Sequence, residues 1–217
     1  MDTKEKEQGF FGSLALSHKV MSAIEAMGFE EPSPIQAKTI PPIMEGHDVI
    51  GQAQTGTGKT AAFGIPIVER VQDIRQVQAL IMTPTRELAL QVSEEIAKIG
   101  LFKKIKTLPV YGGQSIDRQI RALHFGVQVV IGTPGRLLDH IRRKTIKLDT
   151  VKMLILDEAD EMLDMGFIDD IMTIMENIPK EGRQTLLFSA TMPQQIRTLA
   201  DTHMTKPVFV TVSKEQL

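Results

Sequence analysis

Ala53-Gln54-Thr55-Gly56-Thr57-Gly58-Lys59-Thr60 follows a short apolar run and leads directly into a helical pattern. Glycines permit a tight backbone path, and successive N–H groups along such a loop point inward, where they can hold phosphate oxygens. Lys59 offers a point charge to β- and γ-phosphates, and Thr60 offers a hydroxyl to Mg²⁺. The following helix adds its positive amino end. A plain Gly-rich turn is the simpler reading, but the strand before, the helix after and the intact Gly-Lys-Thr argue against it. Ala53 stands where the general pattern has Gly, which narrows the type of loop. Gly51 and Gly64 lack such a context and read as packing residues.

Working outward, short Val/Ile/Leu-rich runs alternate with amphipathic stretches. Strands are expected at 48–53, 79–83, 107–111, 127–132, 153–157, 185–189 and 208–212. None shows clean polar alternation, as expected for strands buried on both faces. Helices are expected at 59–72, 87–99, 116–125, 135–143, 167–178 and 194–203. Two more are expected within 17–44, broken at Gly28, Pro32 and Pro34. The pattern predicts an α/β domain: a central, mainly parallel sheet of about seven strands with helices on both faces. Residues 1–9 read as a disordered lead, 10–212 as one domain and 213–217 as a polar tail.

Composition bounds the function. The 217 residues carry a net charge of −2 and no Cys, which excludes a disulfide scaffold, a thiol nucleophile and zinc-thiolate or iron–sulfur sites. The charged opening residues do not read as a signal peptide, and no apolar run approaches the ~20 residues of a membrane span. A cytoplasmic protein is the expectation. The charge balance and 5% aromatic content argue, taken alone, against a general nucleic-acid binder.

The run Met153-Leu154-Ile155-Leu156 enters Asp157-Glu158-Ala159-Asp160. A carboxylate at the carboxyl end of a buried parallel strand sits where open α/β sheets bind ligands. Asp157 is placed to bind Mg²⁺, largely through water, and Glu158 to orient or deprotonate an attacking water. Glu161, Asp164, Asp169 and Asp170 read as a solvated helix face. Farther on, a strand ends in Ser189-Ala190-Thr191, whose hydroxyls are candidates to hydrogen-bond Asp160.

Thr83-Pro84-Thr85-Arg86 and Thr133-Pro134-Gly135-Arg136 each follow a strand and open a helix. Pro suits the first helical position. Arg in the first turn opposes the helix dipole. Two such cases suggest a bound anion, with helix amides and arginine both serving phosphate; solvent-exposed arginines on ordinary turns are the alternative. Between them, the paired glycines of Tyr111-Gly112-Gly113-Gln114 would let a nucleic-acid strand approach the backbone.

Together these segments resemble the DEAD-box ATP-dependent RNA helicases, over nearly the whole chain. Asp157–Asp160 spells the family's name, and Ala53–Thr60 matches its AxTGxGKT, which accounts for Ala53. Pro84-Thr85-Arg86-Glu87-Leu88-Ala89, Gly112-Gly113, Thr133–Arg136 and Ser189–Thr191 follow in the family's order. Upstream, Gly28-Phe29-Glu30-Glu31-Pro32-Ser33-Pro34-Ile35-Gln36 matches the adenine-recognising Q motif, with Ser33 where Thr is usual. Phe11 stands at the position of the aromatic that the family uses against adenine. The resemblance implies a RecA-like fold, ATP and Mg²⁺ as cofactors, and RNA as partner. It assigns nucleotide binding to Phe11, Gln36 and Ala53–Thr60, and catalysis to Lys59, Asp157 and Glu158. Metal binding falls to Thr60 and Asp157. RNA contact falls to Pro84, Thr85, Arg86, Gly112, Gly113, Thr133, Gly135 and Arg136, and coupling to Asp160, Ser189 and Thr191. A Gln amide pairs with adenine N6 and N7 together, whereas guanine reverses the donor there, so ATP is expected over GTP.

The family core has two RecA-like domains. This sequence corresponds to the first, with 213–217 opening the linker. The second should bring arginine fingers, whose loss typically removes on the order of 10³–10⁵ in phosphoryl-transfer rate. His140-Ile141-Arg142-Arg143 imitates the arginine-finger motif but lies in the wrong region and reads as basic surface. The 217 residues alone are therefore expected to bind nucleotide with little turnover. Two other readings are an ATP-switched RNA- or protein-binding module and a small-molecule kinase. The kinase leaves the Q motif, the paired Thr-Pro-x-Arg starts and Glu158 unexplained.

Overall fold

The computed structural model describes residues 9–212. The lead expected at 1–9, apart from Gly9, and the linker start at 213–217 lie outside the described residues. In chain order the first half comprises α1 (Phe10–Ser13), α2 (His18–Ala26), α3 (Pro34–Glu45), β1 (Val49–Gln52), α4 (Lys59–Arg70), β2 (Ala79–Met82) and α5 (Arg86–Ile99). A 3₁₀ turn (Leu101–Lys103), β3 (Thr107–Val110), α6 (Ile116–Phe125), β4 (Val129–Gly132) and α7 (Pro134–Arg142) follow. The chain then forms β5 (Met153–Leu156), α8 (Ala159–Asp164), α9 (Ile168–Glu176), β6 (Gln184–Ser189), α10 (Gln194–His203) and β7 (Val208–Thr211).

All seven expected strands form, and they pair in parallel in the order β3-β4-β2-β5-β6-β1-β7. Successive strand residues point to opposite faces, and the sequence fills both faces with apolar side chains. In β5, Met153 and Ile155 join a core with Phe63, Ile96 and Phe188, while Leu154 and Leu156 join one with Leu137, Ile171 and Leu199. Helices α2–α5 cover the first face, and α7–α10 the second. Three short elements escape the sequence reading: α1, the 3₁₀ turn and α8, each too short to show a period.

The two glycines read as packing residues take that role. An added Cβ at Gly51 would meet the Phe188 ring at 2.6 Å, and one at Gly64 would meet Ile99 at 3.1 Å. Phe188 has no room to yield, because it is fully buried and stacks at a tilt on Phe63, with ring centroids 5.4 Å apart. Gly51→Ala is therefore expected to destabilise the domain by roughly 1–3 kcal/mol through overpacking. Chemical denaturation measures it, and an unchanged midpoint would contradict this packing argument.

Candidate active site

The strand order divides the carboxyl edge of the sheet into two halves. The ends of β5, β6 and β1 are neighbours and carry Asp157–Asp160, Ser189–Thr191 and Ala53–Thr60. The ends of β3, β4 and β2 are neighbours and carry Gly112-Gly113, Thr133–Arg136 and Pro84–Arg86. Residues scattered over more than 130 positions thus meet along one rim.

In the first half, Gly56 (φ 79°) and Gly58 (φ 89°) take left-handed backbone that other residues rarely adopt. The N–H groups of Thr55, Gly56 and Gly58 donate to no backbone carbonyl among the described residues. Lys59 and Thr60 open α4, where helical N–H groups are unpaired by geometry. Gln54, Thr55 and Gly56 are exposed, while Ala53, Thr57 and Lys59 are buried. Thr57 Oγ1 donates to Gln54 O at 2.8 Å and braces the loop from within. The result is a concave set of donors at a positive helix end, which suits a polyphosphate.

Lys59 Nζ donates to Glu158 Oε1 at 2.8 Å and to Ala53 O at 3.1 Å, with both charged side chains only 4% exposed. One of its three donors stays uncommitted. Glu158 adopts φ 53°, a left-handed conformation unusual for a residue with a side chain. Asp157, beside it, is buried, and its Oδ1 has no hydrogen-bond partner among the described residues. Burial pushes its carboxyl up to about 7, against the pull of Lys59 and with a further push from Glu158. A buried, unpartnered carboxylate oxygen and the Thr60 hydroxyl are hard oxygen donors, so the residues present fit a divalent cation carried in with phosphate oxygens.

Asp160 ties the neighbouring strand end to this cluster. Its backbone N–H donates to Ser189 Oγ at 3.1 Å, and its Oδ2 accepts from Thr191 N and Oγ1 at 2.9 and 2.8 Å. Burial pushes the Asp160 carboxyl up, but the Ser189 hydroxyl beside it and the hydrogen bonds from Thr191 outweigh this and hold it below the usual range. Ala53 N donates to Ser189 O at 3.0 Å, so β1 and β6 stay joined past their ends.

Gln36 is buried at the start of α3. Its Oε1 accepts from Ser33 N at 3.0 Å and its Nε2 donates to Gly58 O at 3.1 Å, so this amide is seated directly on the phosphate-type loop. A Cβ at Gly58 would stand 2.5 Å from Gln36 Nε2. One N–H and one lone pair of the amide remain for a further partner. Phe11 is placed differently from the expectation. It is 4% exposed and packs against Phe10 and Phe29, so its ring presents little open face to a base.

In the second half, the two Thr-Pro-x-Arg segments are not equivalent. Pro134 occupies the first position of α7, but Pro84 is buried ahead of Thr85, which caps α5 by accepting from Leu88 N at 3.2 Å. Both arginines also find protein partners. The exposed Arg86 guanidinium lies 5.3 Å from the Tyr111 ring centroid, and Arg136 donates to Gln114 O at 2.9 Å and Gln119 Oε1 at 3.1 Å. Gly112, Gly113 and Gly135 are exposed, with open space where a Cβ would stand. Thr133 donates its N–H to Val110 O, aligning the β3 and β4 ends.

Buried Gln119, absent from the sequence reading, organises this half. Its Nε2 donates to Tyr111 O and Gln114 Oε1, and its Oε1 meets both Arg136 and His140 Nε2. His140 corrects the basic-surface reading. It is fully buried and bonded to Thr145 Oγ1 at 2.8 Å, and burial followed by the Arg136 charge holds its pKa down. Only Arg142 and Arg143 of that stretch are exposed. No sequence signal marks Gln119, because a helical glutamine is ordinary until its burial is known. Glu161, Asp164 and Asp169 are exposed as expected, with Asp170 half-buried.

A family model described as DEAD/DEAH box helicase matches residues 33–199. The chain belongs to this family. Among DEAD/DEAH box relatives, the DEAD-box ATP-dependent RNA helicase CshA of Geobacillus kaustophilus is 60% identical over 208 residues, 95% of this chain and 44% of that protein. The CshA of Bacillus subtilis is 58% identical, over 95% of this chain and 42% of its own length. The chain therefore spans less than half the length of these curated relatives. Among solved DEAD-box structures, a DEAD box protein from the hyperthermophile Methanococcus jannaschii superposes with a TM-score of 0.90 at 46% identity. That match covers 94% of this chain and 56% of the other. A hypothetical ATP-dependent RNA helicase from Sulfolobus tokodaii gives 0.84 at 40% identity, covering 91% and 57%. The fold is thus the RecA-like α/β domain of DEAD-box proteins.

The raised Asp157 pKa has a thermodynamic consequence. Between its ordinary value near 3.8 and about 7, the folded state holds a proton that the unfolded state releases. Stability from this group is complete below the lower value and is lost as pH rises through the upper one. Without divalent cation, Asp157→Asn should gain thermal stability over the wild type as pH rises from 4 to 7, then level off. Melting temperatures across that range test it, and a pH-independent difference would contradict it.

Proposed function

We propose that this chain is the ATP-binding core of an ATP-dependent RNA helicase. The observation that carries the reading is the division of one sheet edge between phosphate-loop residues with paired carboxylates and exposed glycines beside two arginines. Ala53–Thr60 would hold the phosphates of ATP, with Thr60 and Asp157 taking Mg²⁺, largely through water. The metal would supply charge neutralisation on the phosphoryl oxygens. Gln36 would select adenine with its uncommitted donor and acceptor. Lys59 then exchanges Glu158 for phosphate, which frees the Glu158 carboxylate to orient and deprotonate a water.

Pro84–Arg86, Gly112-Gly113 and Thr133–Arg136 would grip one RNA strand by its sugar-phosphate backbone, with little regard for base identity. Asp160, Ser189 and Thr191 would couple the two halves of the edge. In the longer relatives the additional length would accommodate a second RecA-like domain, whose closure would complete both sites and make ATP and RNA binding mutually cooperative. The cytoplasm, where ATP and RNA meet, is the natural compartment. No helix among the described residues is long and apolar enough to cross a membrane.

Two measurements test the reading. The purified chain should bind ATP about tenfold or more tightly than GTP, within the roughly 1–3 kcal/mol of a bidentate base contact; equal affinities would remove Gln36 as the selector. In the full-length protein, Glu158→Gln should keep ATP and RNA binding but lose about 10²-fold or more of RNA-stimulated turnover. Unchanged turnover would rule out Glu158 as the catalytic carboxylate.

A further inference from the structure

The opposite, amino edge of the sheet carries a feature that the nucleotide and RNA assignments leave unused. Two recesses of ≈ 740 and ≈ 460 Å³ adjoin there, sharing Gln76, Asp149 and Thr150. They run along the starts of β4, β2, β5 and β6, four adjacent strands that span about 14 Å at the usual spacing. The combined shape is an elongated trough, suited to a strand and not to one small anion.

Its charge is one-sided. Arg70, Lys152 and Arg183 line one part and Arg75, Lys144 and Lys147 the other, while Asp149 is the one carboxylate in the lining. Asp73 and Glu181 sit in flanking turns outside it. This concentration of cations occurs in a chain whose net charge is −2. Arg183 is half-buried and committed to the carbonyls of Met175, Ile178 and His203, so it is a fixed charge in the trough wall. Arg75, Lys144, Lys147 and Lys152 are exposed and enter no ion pair among the described residues. Phe125 is not itself in the lining, but it follows the lining residue His124, meets its ring with centroids 6.5 Å apart and is 69% exposed.

Fixed positive charge in the wall, unpaired cations on the rim and an exposed aromatic ring next to a lining residue match what holds single-stranded nucleic acid. Phosphates follow the cationic groove and a base stacks on the ring. An acidic peptide would use the charge but has less use for Phe125. We infer that this trough is a second binding site for single-stranded RNA, distinct from the rim that carries Arg86 and Arg136. The choice of RNA as the polyanion rests on the helicase reading above.

The test measures binding of a labelled oligouridine strand to the purified chain across a salt series. It compares the wild type with Arg75→Gln/Lys147→Gln/Lys152→Gln, with Arg86→Ala/Arg136→Ala, and with both sets combined. ATP affinity serves as the check on folding. Removing three phosphate contacts should lower RNA affinity about tenfold at low salt and flatten the salt slope by about 2. The combined variant should lose the binding that Arg86→Ala/Arg136→Ala retains, and Phe125→Ala should weaken oligouridine but not polyglutamate. If the trough variant binds RNA as the wild type does while Arg86→Ala/Arg136→Ala loses it, the second site is wrong and the helicase reading stands. If the wild type binds no oligouridine in any condition, the RNA reading itself fails and takes this inference with it. Loss of polyglutamate binding with RNA binding intact would make the trough a surface for acidic protein and overturn the proposal.

Discussion

The ion pair between Lys59 and Glu158 fixes the chemistry of the whole carboxyl edge. The two residues come from helix starts 99 positions apart and meet at 2.8 Å with almost no exposure. Removing one partner of such a pair leaves an uncompensated buried charge, typically costing about 3–5 kcal/mol. The phosphate-type loop and the acidic strand end are therefore held together by a bond whose loss the domain feels. The same bond keeps Lys59 extended across the loop and leaves Asp157 Oδ1 without a hydrogen-bond partner among the described residues. The two neighbouring acids are therefore held differently, Glu158 by an ion pair and Asp157 with one oxygen unpartnered among the described residues.

Topology makes that bond available. Parallel strands send all their carboxyl ends to one rim, and the order β5-β6-β1 makes neighbours of segments far apart in the chain. The link from Asp160 to Ser189 and Thr191, and from Ser189 to Ala53, then closes the cluster through hydrogen bonds across adjacent strands. The other three strand ends obey the same rule with different contents: exposed glycines, Arg136 held by Gln119 and Arg86 set against Tyr111.

The strands were legible because each is an apolar run flanked by turn residues, and the tight glycine turn at the end of β1 because Gly56 and Gly58 announce left-handed backbone. The contact of Thr191 and Ser189 with Asp160 was also within reach, since hydroxyls at one strand end face a carboxylate at the next. What stayed hidden depends on burial. His140 looked like part of a basic cluster until its ring proved to be inside, and Gln119 carries no signal in an ordinary amphipathic helix. The two Thr-Pro-x-Arg segments looked alike because the sequence does not reveal that the first helix is capped two residues later in its segment, at Thr85, than the second, at Thr133. Phe11 was assigned by position alone, and position says nothing about the ring being packed against Phe29.

Tyr111, which lies beneath the Arg86 guanidinium and lends its carbonyl to Gln119, is the chain's one tyrosine, and there is no tryptophan. Tyrosine emission, excited to the red of the phenylalanine absorption, therefore arises from a single ring on the arginine-bearing rim. Lifting Arg86 from that ring, or shifting the strand end that carries it, would alter the ring's surroundings. The domain thus contains a built-in optical reporter, and its signal can follow events on that rim without a dye or an introduced residue.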